Sequence, residues 1–258
     1  MVCAAALARA QESAAPNTVP QVSKQTGLCP SEFEGDDRQV SLKKVAPNIL
    51  CDQKRIWTYP WRLAHGEHLI PTAAVLGVTA GLIFLDPSDG RYFRRTSSFH
   101  QFNHVVSGIN TGVVIGLVPA SFYAAGLING DSYAQHTALL AGEAIADSEI
   151  VTIAMKAVTR RLRPLDIPPN GNFSDTWFKS KQSWINKGSF PSEHTVAAFS
   201  VATVIARRYG NHKWVPYVAY GTAGLIGFSR MTLARHFPSD VFVGAVLGYS
   251  VTRFAVLH

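Results

Sequence analysis

Side chains that could grip and attack a phosphate gather in three short segments of the C-terminal half of the chain. These segments are KAVTRRLRP at 156–164, PSEH at 191–194 and SRMTLARHFPSD at 229–240. None of them has the glycine pattern of a nucleotide-binding loop. Arg offers a planar fork to two phosphate oxygens, Lys offers a point charge, and His can act as a nucleophile or as an acid. Together the three segments predict a phosphate-binding site.

The first segment is predicted to end a helix that runs from about Tyr133 to Leu162. Lys156 and Arg163 are seven residues apart, close to two helical turns, so we expect both on one face. Pro164 marks the expected end of the helix. Both cations could then point at one anion. A basic helix end that compensates the helix dipole or binds lipid headgroups is the alternative.

In the second segment, Ser192 is predicted to cap a helix whose first turn contains Glu193 and His194. The free backbone N–H groups of such a turn can bind an anion, and His194 could protonate a departing alkoxide. The alternative is an ordinary capped helix with a surface His. The Glu193 carboxylate would repel a phosphate unless it turns to solvent or meets a cation, for which Arg160 and Arg161 are the predicted candidates.

In the third segment, Pro238 suits the first position of a helix, which places Asp240 in the first turn. Asp240 could then reach back to His236. A carboxylate on one imidazole nitrogen fixes the tautomer and leaves the other nitrogen free to attack. A His–Asp pair that merely ties a loop to a helix is the alternative.

The order and spacing of the segments resemble the signature of the type 2 phosphatidic acid phosphatase and vanadium haloperoxidase superfamily. That signature is Lys, six residues and Arg-Pro, then Pro-Ser-Gly-His, and finally Ser-Arg, five residues, His, three residues and Asp. Glu193 stands where the family usually has Gly. A looser resemblance to a bacterial subgroup of the family begins near residue 50 and includes Asp86-Pro87 and Arg94-Arg95.

The resemblance implies a role for each matched residue. His236 would be the nucleophile that forms a phosphohistidine, with Asp240 orienting it, and His194 would be the acid for the leaving group and then the base for water. The substrate-binding residues would be Lys156, Arg163, Ser192, Glu193 through its backbone N–H, and Arg230. No cofactor is implied, and vanadate would act as an inhibitor, or as the cofactor if the chain is a haloperoxidase. The sequence also has no clustered Cys/His arrangement of the zinc type, so no metal site is predicted.

Composition limits the partners of the chain. Its net charge is +7, yet only 16% of its 258 residues are charged and 47% are hydrophobic, which is not typical of a nucleic-acid-binding protein. We expect a phosphorylated lipid or a small phosphomonoester as substrate, and contact with membrane lipids. Nothing in the sequence indicates an oligomeric state.

The predicted domains are unequal. Residues 1–10 resemble the end of a signal peptide, with a frayed terminus as the alternative, and 11–48 read as a flexible polar extension. Residues 49–258 form the predicted catalytic domain. Cys29 and Cys51 are a candidate disulfide.

Six apolar stretches predict an all-α fold, a six-helix bundle embedded in the membrane. They are 69–85, 105–128, 137–158, 195–206, 214–228 and 241–257. The uncharged stretch 105–128 is long enough to cross a bilayer, which takes about 20 apolar residues. A mean hydropathy of only +0.08 keeps a soluble all-helical protein open. Trp57, Tyr59 and Trp61, set among basic residues, suit a membrane interface.

The predicted function is metal-independent hydrolysis of a lipid phosphate or lipid pyrophosphate. The predicted location is the bacterial cell envelope, in the membrane with the site facing the periplasm. The alternatives are a soluble periplasmic acid phosphatase, a vanadium-dependent haloperoxidase and a non-catalytic membrane binding protein. Topology is open as well, because a cleaved signal followed by six spans would put the motifs on the cytoplasmic side.

Overall fold

The computed structural model describes residues 29, 40–108, 111–180 and 188–257, and these residues form helices and connecting loops without a β-strand. The helices are α1 (Val45–Trp57), α2 (Tyr59–Ala64), α3 (Leu69–Arg95), α4 (His100–Gly108), α5 (Thr111–Asn129), α6 (Ser132–Thr159), α7 (Glu193–Arg208), α8 (Trp214–Thr232) and α9 (Pro238–Val251). A 3-10 turn at Pro164–Asp166 and a π-helical turn at Thr252–Val256 add to these. The predicted all-α class is confirmed.

Helix α7 lies at the centre and packs against α5, α6, α8 and α9. Glycines let α9 approach it closely. A Cβ on Gly248 would lie 2.3 Å from the Val196 carbonyl oxygen, and one on Gly244 would lie 2.8 Å from that of Ser192. The first turns of α7 and α9, which carry the second and third motifs, are therefore held side by side.

Three helical segments are long and apolar enough to cross a membrane: Leu69–Arg95, Thr111–Asn129 and Pro238–Val256. Helix α3 buries little of its surface in the bundle, and its apolar side chains Ile70 and Phe84 are each 84% exposed. Apolar surface of this extent is suited to lipid rather than to water. These features indicate an integral membrane protein.

The predicted span 105–128 falls on α4, described up to Gly108, and on α5, described from Thr111, and residues 109 and 110 lie outside the described residues. Hydrogen bonds between Asn103 and Thr232 hold α4 against the end of α8: Asn103 Nδ2 donates to the Thr232 carbonyl at 3.0 Å, and Thr232 Oγ1 donates to Asn103 Oδ1 at 2.7 Å. Helix α5 alone is the candidate span in this region.

The chain packs on the bundle before the predicted domain boundary at residue 49. Val40 is buried in the core and α1 begins at Val45. Asn48 Nδ2 donates to Glu143 Oε1 of α6 at 2.9 Å. The predicted disulfide between Cys29 and Cys51 is confirmed. Residues 1–10, and the rest of the predicted extension up to residue 39 apart from Cys29, lie outside the described residues.

Candidate active site

The three motifs meet where α6 ends, α7 begins and α8 leads into α9. Lys156 lies in the last turn of α6, His194 in the first turn of α7, and Arg230 near the end of α8. His236 lies in the loop that connects α8 to α9. The backbone N–H of His236 donates to the Arg230 carbonyl at 3.2 Å. After burial, the charges of Arg230, Glu193 and Lys156 act on the pKa of His194, so these groups lie near one another.

Lys156 is buried, and its Nζ donates to Glu193 Oε2 at 2.6 Å. The prediction that Arg160 or Arg161 would meet Glu193 is therefore wrong. Helix α6 ends at Thr159 because Arg160 adopts a left-handed conformation with φ 42°, and this turns both arginines away from α7. The Arg160 guanidinium donates to the Ser180 carbonyl instead.

The pKa of Glu193 reflects two opposing effects. Partial burial raises it, but the charge and hydrogen bond of Lys156 outweigh burial and hold the pKa of Glu193 below its usual value. Glu193 is therefore ionised at neutral pH, and its carboxylate neutralises Lys156 inside the predicted phosphate-binding site.

Arg163 reaches the site by a route that the sequence did not predict. The shared helical face with Lys156 is wrong, because the chain leaves α6 at Thr159 and runs on as a loop in which the Leu162 N–H donates to the Thr176 carbonyl. Arg163 is half-buried at the end of this loop, and its charge helps to lower the pKa of His236.

Ser192 precedes α7 in an extended conformation, as an N-cap residue does, but its side chain caps no N–H group. Its buried Oγ accepts a hydrogen bond from Thr195 Oγ1 at 2.9 Å. The first N–H groups of a helix have no partner within the helix, so the backbone at the start of α7 can bind an anion without the Ser192 hydroxyl.

His194 is half-buried next to these N–H groups. Burial, followed by the positive charge of Arg230, lowers the pKa of His194 to about 4. The imidazole is therefore neutral near pH 7 in the free protein. A phosphate dianion bound at the site would offset the positive charges of Arg230 and Lys156 and raise the pKa of His194. Substrate binding would therefore help to supply the proton that an acid must donate.

His236 is buried, and its Nδ1 lies 2.7 Å from the Ser189 carbonyl oxygen. A carbonyl can only accept, which assigns the proton to Nδ1 and leaves the Nε2 lone pair free. The contact between His236 and Asp240 is looser than predicted, because Asp240 Oδ2 lies 3.6 Å from His236 Nδ1. That oxygen already accepts the Phe237 N–H at 2.8 Å and the Ser189 hydroxyl.

Burial lowers the pKa of His236, while the nearby negative charge of Asp240 opposes the shift. The outcome is a ring that stays neutral at neutral pH. A neutral imidazole with a free Nε2 lone pair has the state that a nucleophile needs.

Arg230 is buried at the edge of the site and ties two helices to it. Its Nη2 donates to Thr111 Oγ1 at 3.0 Å, and its Nε donates to Ser229 Oγ at 3.1 Å. Thr111 of α5 thus helps to hold a residue that is predicted to bind phosphate.

Sequence reasoning missed a buried polar network behind His236, whose members are Asp86, Arg161, Ser189 and Ser239. Arg161 donates from Nη1 to Asp240 Oδ1 and from Nη2 to Asp86 Oδ2, both at 2.6 Å. The looser upstream resemblance did include Asp86, but no motif assigned it a role. Ser189 lies just before the PSEH segment, outside every signature position.

The described part of the chain contains no group of three or more His, Cys, Asp or Glu side chains that could hold a metal ion. The polar groups of the site are instead cations, imidazoles and N–H groups, a set that suits an anionic ligand.

Comparison with known proteins agrees with this chemistry. Residues 137–257, which include all three motifs, match the model of the PAP2 superfamily. This part of the chain is similar to proteins of the PAP2 superfamily. The family resemblance that the motifs carry is thereby confirmed.

Two curated relatives share parts of this region. A lipid A 1-phosphatase from Porphyromonas gingivalis is 41% identical over 64 residues, which is 24% of this chain and 14% of that protein. An undecaprenyl-diphosphatase from Bacillus subtilis is 36% identical over 73 residues, which is 27% of this chain and 36% of that protein. The matches thus span well under two thirds of either relative.

Among solved structures, a transmembrane PAP2-type phosphatidylglycerolphosphate phosphatase from Bacillus subtilis aligns with a TM-score of 0.45 at 17% sequence identity. The alignment covers 83% of this chain and 92% of the other.

Proposed function

We propose that the chain is a metal-independent membrane phosphatase that hydrolyses a lipid phosphate or lipid pyrophosphate through a phosphohistidine. The observation that carries the proposal is His236, whose Nδ1 is hydrogen-bonded and whose Nε2 is free, beside Lys156, Arg163 and Arg230. The names of the two curated relatives, both phosphatases of lipid phosphates, support the substrate class.

In the first step, His236 Nε2 attacks phosphorus, the bond to the leaving oxygen breaks, and His194 gives that oxygen a proton. In the second step, His194 removes a proton from water, water attacks the phosphohistidine, and inorganic phosphate leaves. Lys156, Arg163, Arg230 and the N–H groups of α7 would stabilise the charge on the phosphoryl oxygens, so fixed positive charge does the work of a metal.

The test is a substrate panel with the purified full chain in detergent: a polyprenyl pyrophosphate, phosphatidic acid and p-nitrophenyl phosphate. We expect turnover that survives EDTA and is blocked by vanadate, which can adopt the five-coordinate geometry of the transition state. Rapid quench is expected to trap acid-labile phosphate on the wild type and none on His236→Ala. Turnover that is lost in EDTA and restored by a divalent ion contradicts the mechanism.

One observation favours a second candidate, a non-catalytic binding protein that keeps the fold. Glu193 stands at a position where the family usually has Gly. Its Oε2 lies 2.6 Å from Lys156 Nζ and neutralises this cation of the predicted phosphate-binding site. An inactive wild type that gains phosphatase activity in Glu193→Gly would support this candidate.

We also propose, from the family resemblance, that the site faces the periplasm, and one feature of the fold argues the other way. The site lies at the C-terminal end of α3, whereas Tyr59 of α2 contacts Thr72 near its start at 2.7 Å. The distance along α3 from Leu69 to Asp86 is about 26 Å, nearly a bilayer core. The disulfide at Cys51 therefore lies on the side opposite the site. Because disulfides persist in oxidising compartments, this position would put the site on the cytoplasmic side.

Labelling decides the orientation. In a background with all three cysteines replaced by Ser, Asn172→Cys reports the loop beside the site and Asn211→Cys the loop between α7 and α8. A membrane-impermeant maleimide added to intact cells should label the first variant and spare the second. The reverse pattern would place the site in the cytoplasm.

A further inference from the structure

A buried guanidinium links α3 to the motif that carries His236. Arg161 is only 1% exposed, and the rings of Trp177 and Phe237 lie 4.3 and 4.2 Å from its Cζ. Its Nη2 donates to Asp86 Oδ2 and its Nη1 to Asp240 Oδ1, each at 2.6 Å. With two rings packed against it and both Nη atoms on carboxylates, the guanidinium is held in one orientation.

Ser239 closes this contact into a ring of hydrogen bonds. Its Oγ accepts from Arg161 Nη1 at 2.8 Å and donates to Asp86 Oδ2 at 2.5 Å, while its N–H donates to Asp86 Oδ1 at 3.1 Å. Asp86 therefore holds the Arg161 guanidinium and the first turn of α9 at once. That turn contains Asp240.

From Asp240 the network continues to the imidazole. Asp240 Oδ2 accepts the Ser189 hydroxyl and the N–H of Phe237, the residue next to His236. The Ser189 N–H donates to the Arg161 carbonyl at 2.8 Å, and the Ser189 carbonyl accepts from His236 Nδ1. Arg161 and Asp240 thus fix the carbonyl that orients the ring.

Asp86 is remote in sequence from the family motifs and lies outside the matched region 137–257. It is fully buried on a helix whose surface is otherwise mostly exposed, and Gly90, one turn further, is the other buried residue of α3. A Cβ at Gly90 would lie 2.6 Å from Phe237 Cε1, so α3 meets the His236 loop closely at this point.

We propose that Asp86 is a positioning residue for the nucleophile: through Arg161 and Asp240 it fixes the Ser189 carbonyl, and so the tautomer and orientation of His236. Asp86 touches no reacting atom. The proposal rests on the proposed function of His236, but its first readout is independent of turnover.

The experiment uses the full chain, labelled with 15N-histidine and held in detergent micelles, in three forms: wild type, Asp86→Asn and the control Asp89→Asn, an acid one turn along α3. Ring signals of His236 are assigned by their loss in His236→Gln. We expect the wild type and the control to carry the proton on Nδ1, and Asp86→Asn to show a mixture of tautomers. In Asp86→Asn, kcat for p-nitrophenyl phosphate is expected to fall about tenfold to a hundredfold, as for a misplaced catalytic group, with KM changed less than about twofold.

An unchanged tautomer in a folded Asp86→Asn protein, with kcat equal to that of the control, would overturn the proposal and leave Asp86 a mere attachment of α3. If Asp86→Asn does not fold, Ser239→Ala tests the same network, because it keeps the charges of Asp86 and Arg161 and removes the hydroxyl that contacts both of them. A wild type without any turnover would contradict the proposed function. The comparison of His236 tautomers would still decide whether Asp86 is a positioning residue.

Discussion

Two sets of ionic contacts in this molecule, one pair and one triad, have the same N–O distances and opposite surroundings. Lys156 Nζ lies 2.6 Å from Glu193, and Arg161 lies 2.6 Å from both Asp86 and Asp240. The Glu193 side chain is 36% exposed, whereas those of Asp86 and Asp240 are 1% and 0% exposed. Judged by their N–O distances alone, the two sets of contacts would be equally strong.

Solvent access makes them different. The Glu193 carboxylate can leave Lys156 for water, so a phosphate can take its place at small cost. Neither aspartate has that choice, because separation from Arg161 would leave a charge buried without a partner. The first pair is thus suited to exchange with a ligand, and the second to holding groups in place.

The largest effect is expected from breaking the buried pair. Arg161→Met leaves two carboxylates without their shared cation, and we expect the free energy of unfolding to fall by about 3 to 5 kcal/mol, with loss of turnover. Thermal unfolding in detergent measures the change. The matched control is Arg91→Met, on the exposed face of α3. Equal melting temperatures for the two variants would show that the buried pair contributes little to stability.

Replacing Lys156, the cation of the partly exposed pair, should have the opposite effect, with stability kept and activity lost. Lys156→Met frees a carboxylate that water can reach, so the melting temperature should stay near that of the wild type. The phosphoryl group would lose a charged donor, which lowers kcat/KM by about a hundredfold or more. Lys179→Met serves as control, because that lysine pairs with Asp175 at 3.0 Å on the surface. A large drop in melting temperature without loss of turnover would assign Lys156 a structural role.

Removing the carboxylate instead of the lysine should produce a smaller change and a gain. Glu193→Gly and Glu193→Gln both release Lys156 to the substrate, so KM for a doubly charged monoester is expected to fall about two- to fivefold, the range of an exposed pair. Agreement between the two variants would assign the effect to charge rather than to the backbone. Complete loss of activity in both would mean that the carboxylate has a positive role in turnover.

The sequence predicted the members of the site better than their contacts. Lys156, His194 and His236 could be found because motif spacing places each at a helix end or in a helix-connecting loop. The partner of Glu193 could not, because it depends on the left-handed conformation of Arg160, which ends α6 before Pro164. A non-Gly residue in that conformation is not announced by local sequence.

Contacts between distant segments were hidden for a different reason. Asp86 is 75 residues from Arg161 and 153 from Ser239 in the chain. One sequence contains no information on pairing at such separations beyond the presence of an acid in an apolar helix, which indicates a buried partner without naming it. The Ser189 carbonyl is a backbone group, so no side-chain pattern could identify it as the acceptor from His236.

The pH profile provides the finest test of the comparison. Turnover needs His236 neutral and His194 protonated, so kcat/KM should be bell-shaped, rising through the pKa of His236 and falling through that of His194. Burial lowers both pKa values, and nearby cations lower that of His194 to about 4 in the free protein. Both limbs should therefore lie on the acid side.

Glu193 acts on the alkaline limb of the profile through His194, its neighbour in the chain. Its negative charge is among the influences that raise the pKa of His194, so Glu193→Gln should lower that pKa further and move the alkaline limb of kcat/KM to lower pH. Glu67→Gln, an exposed acid in the loop before α3, should leave the limb in place. The measurement is kcat/KM for p-nitrophenyl phosphate across the acid and neutral range. A limb that moves to higher pH in Glu193→Gln would mean that another group supplies the proton, since removal of a negative charge cannot make His194 more basic.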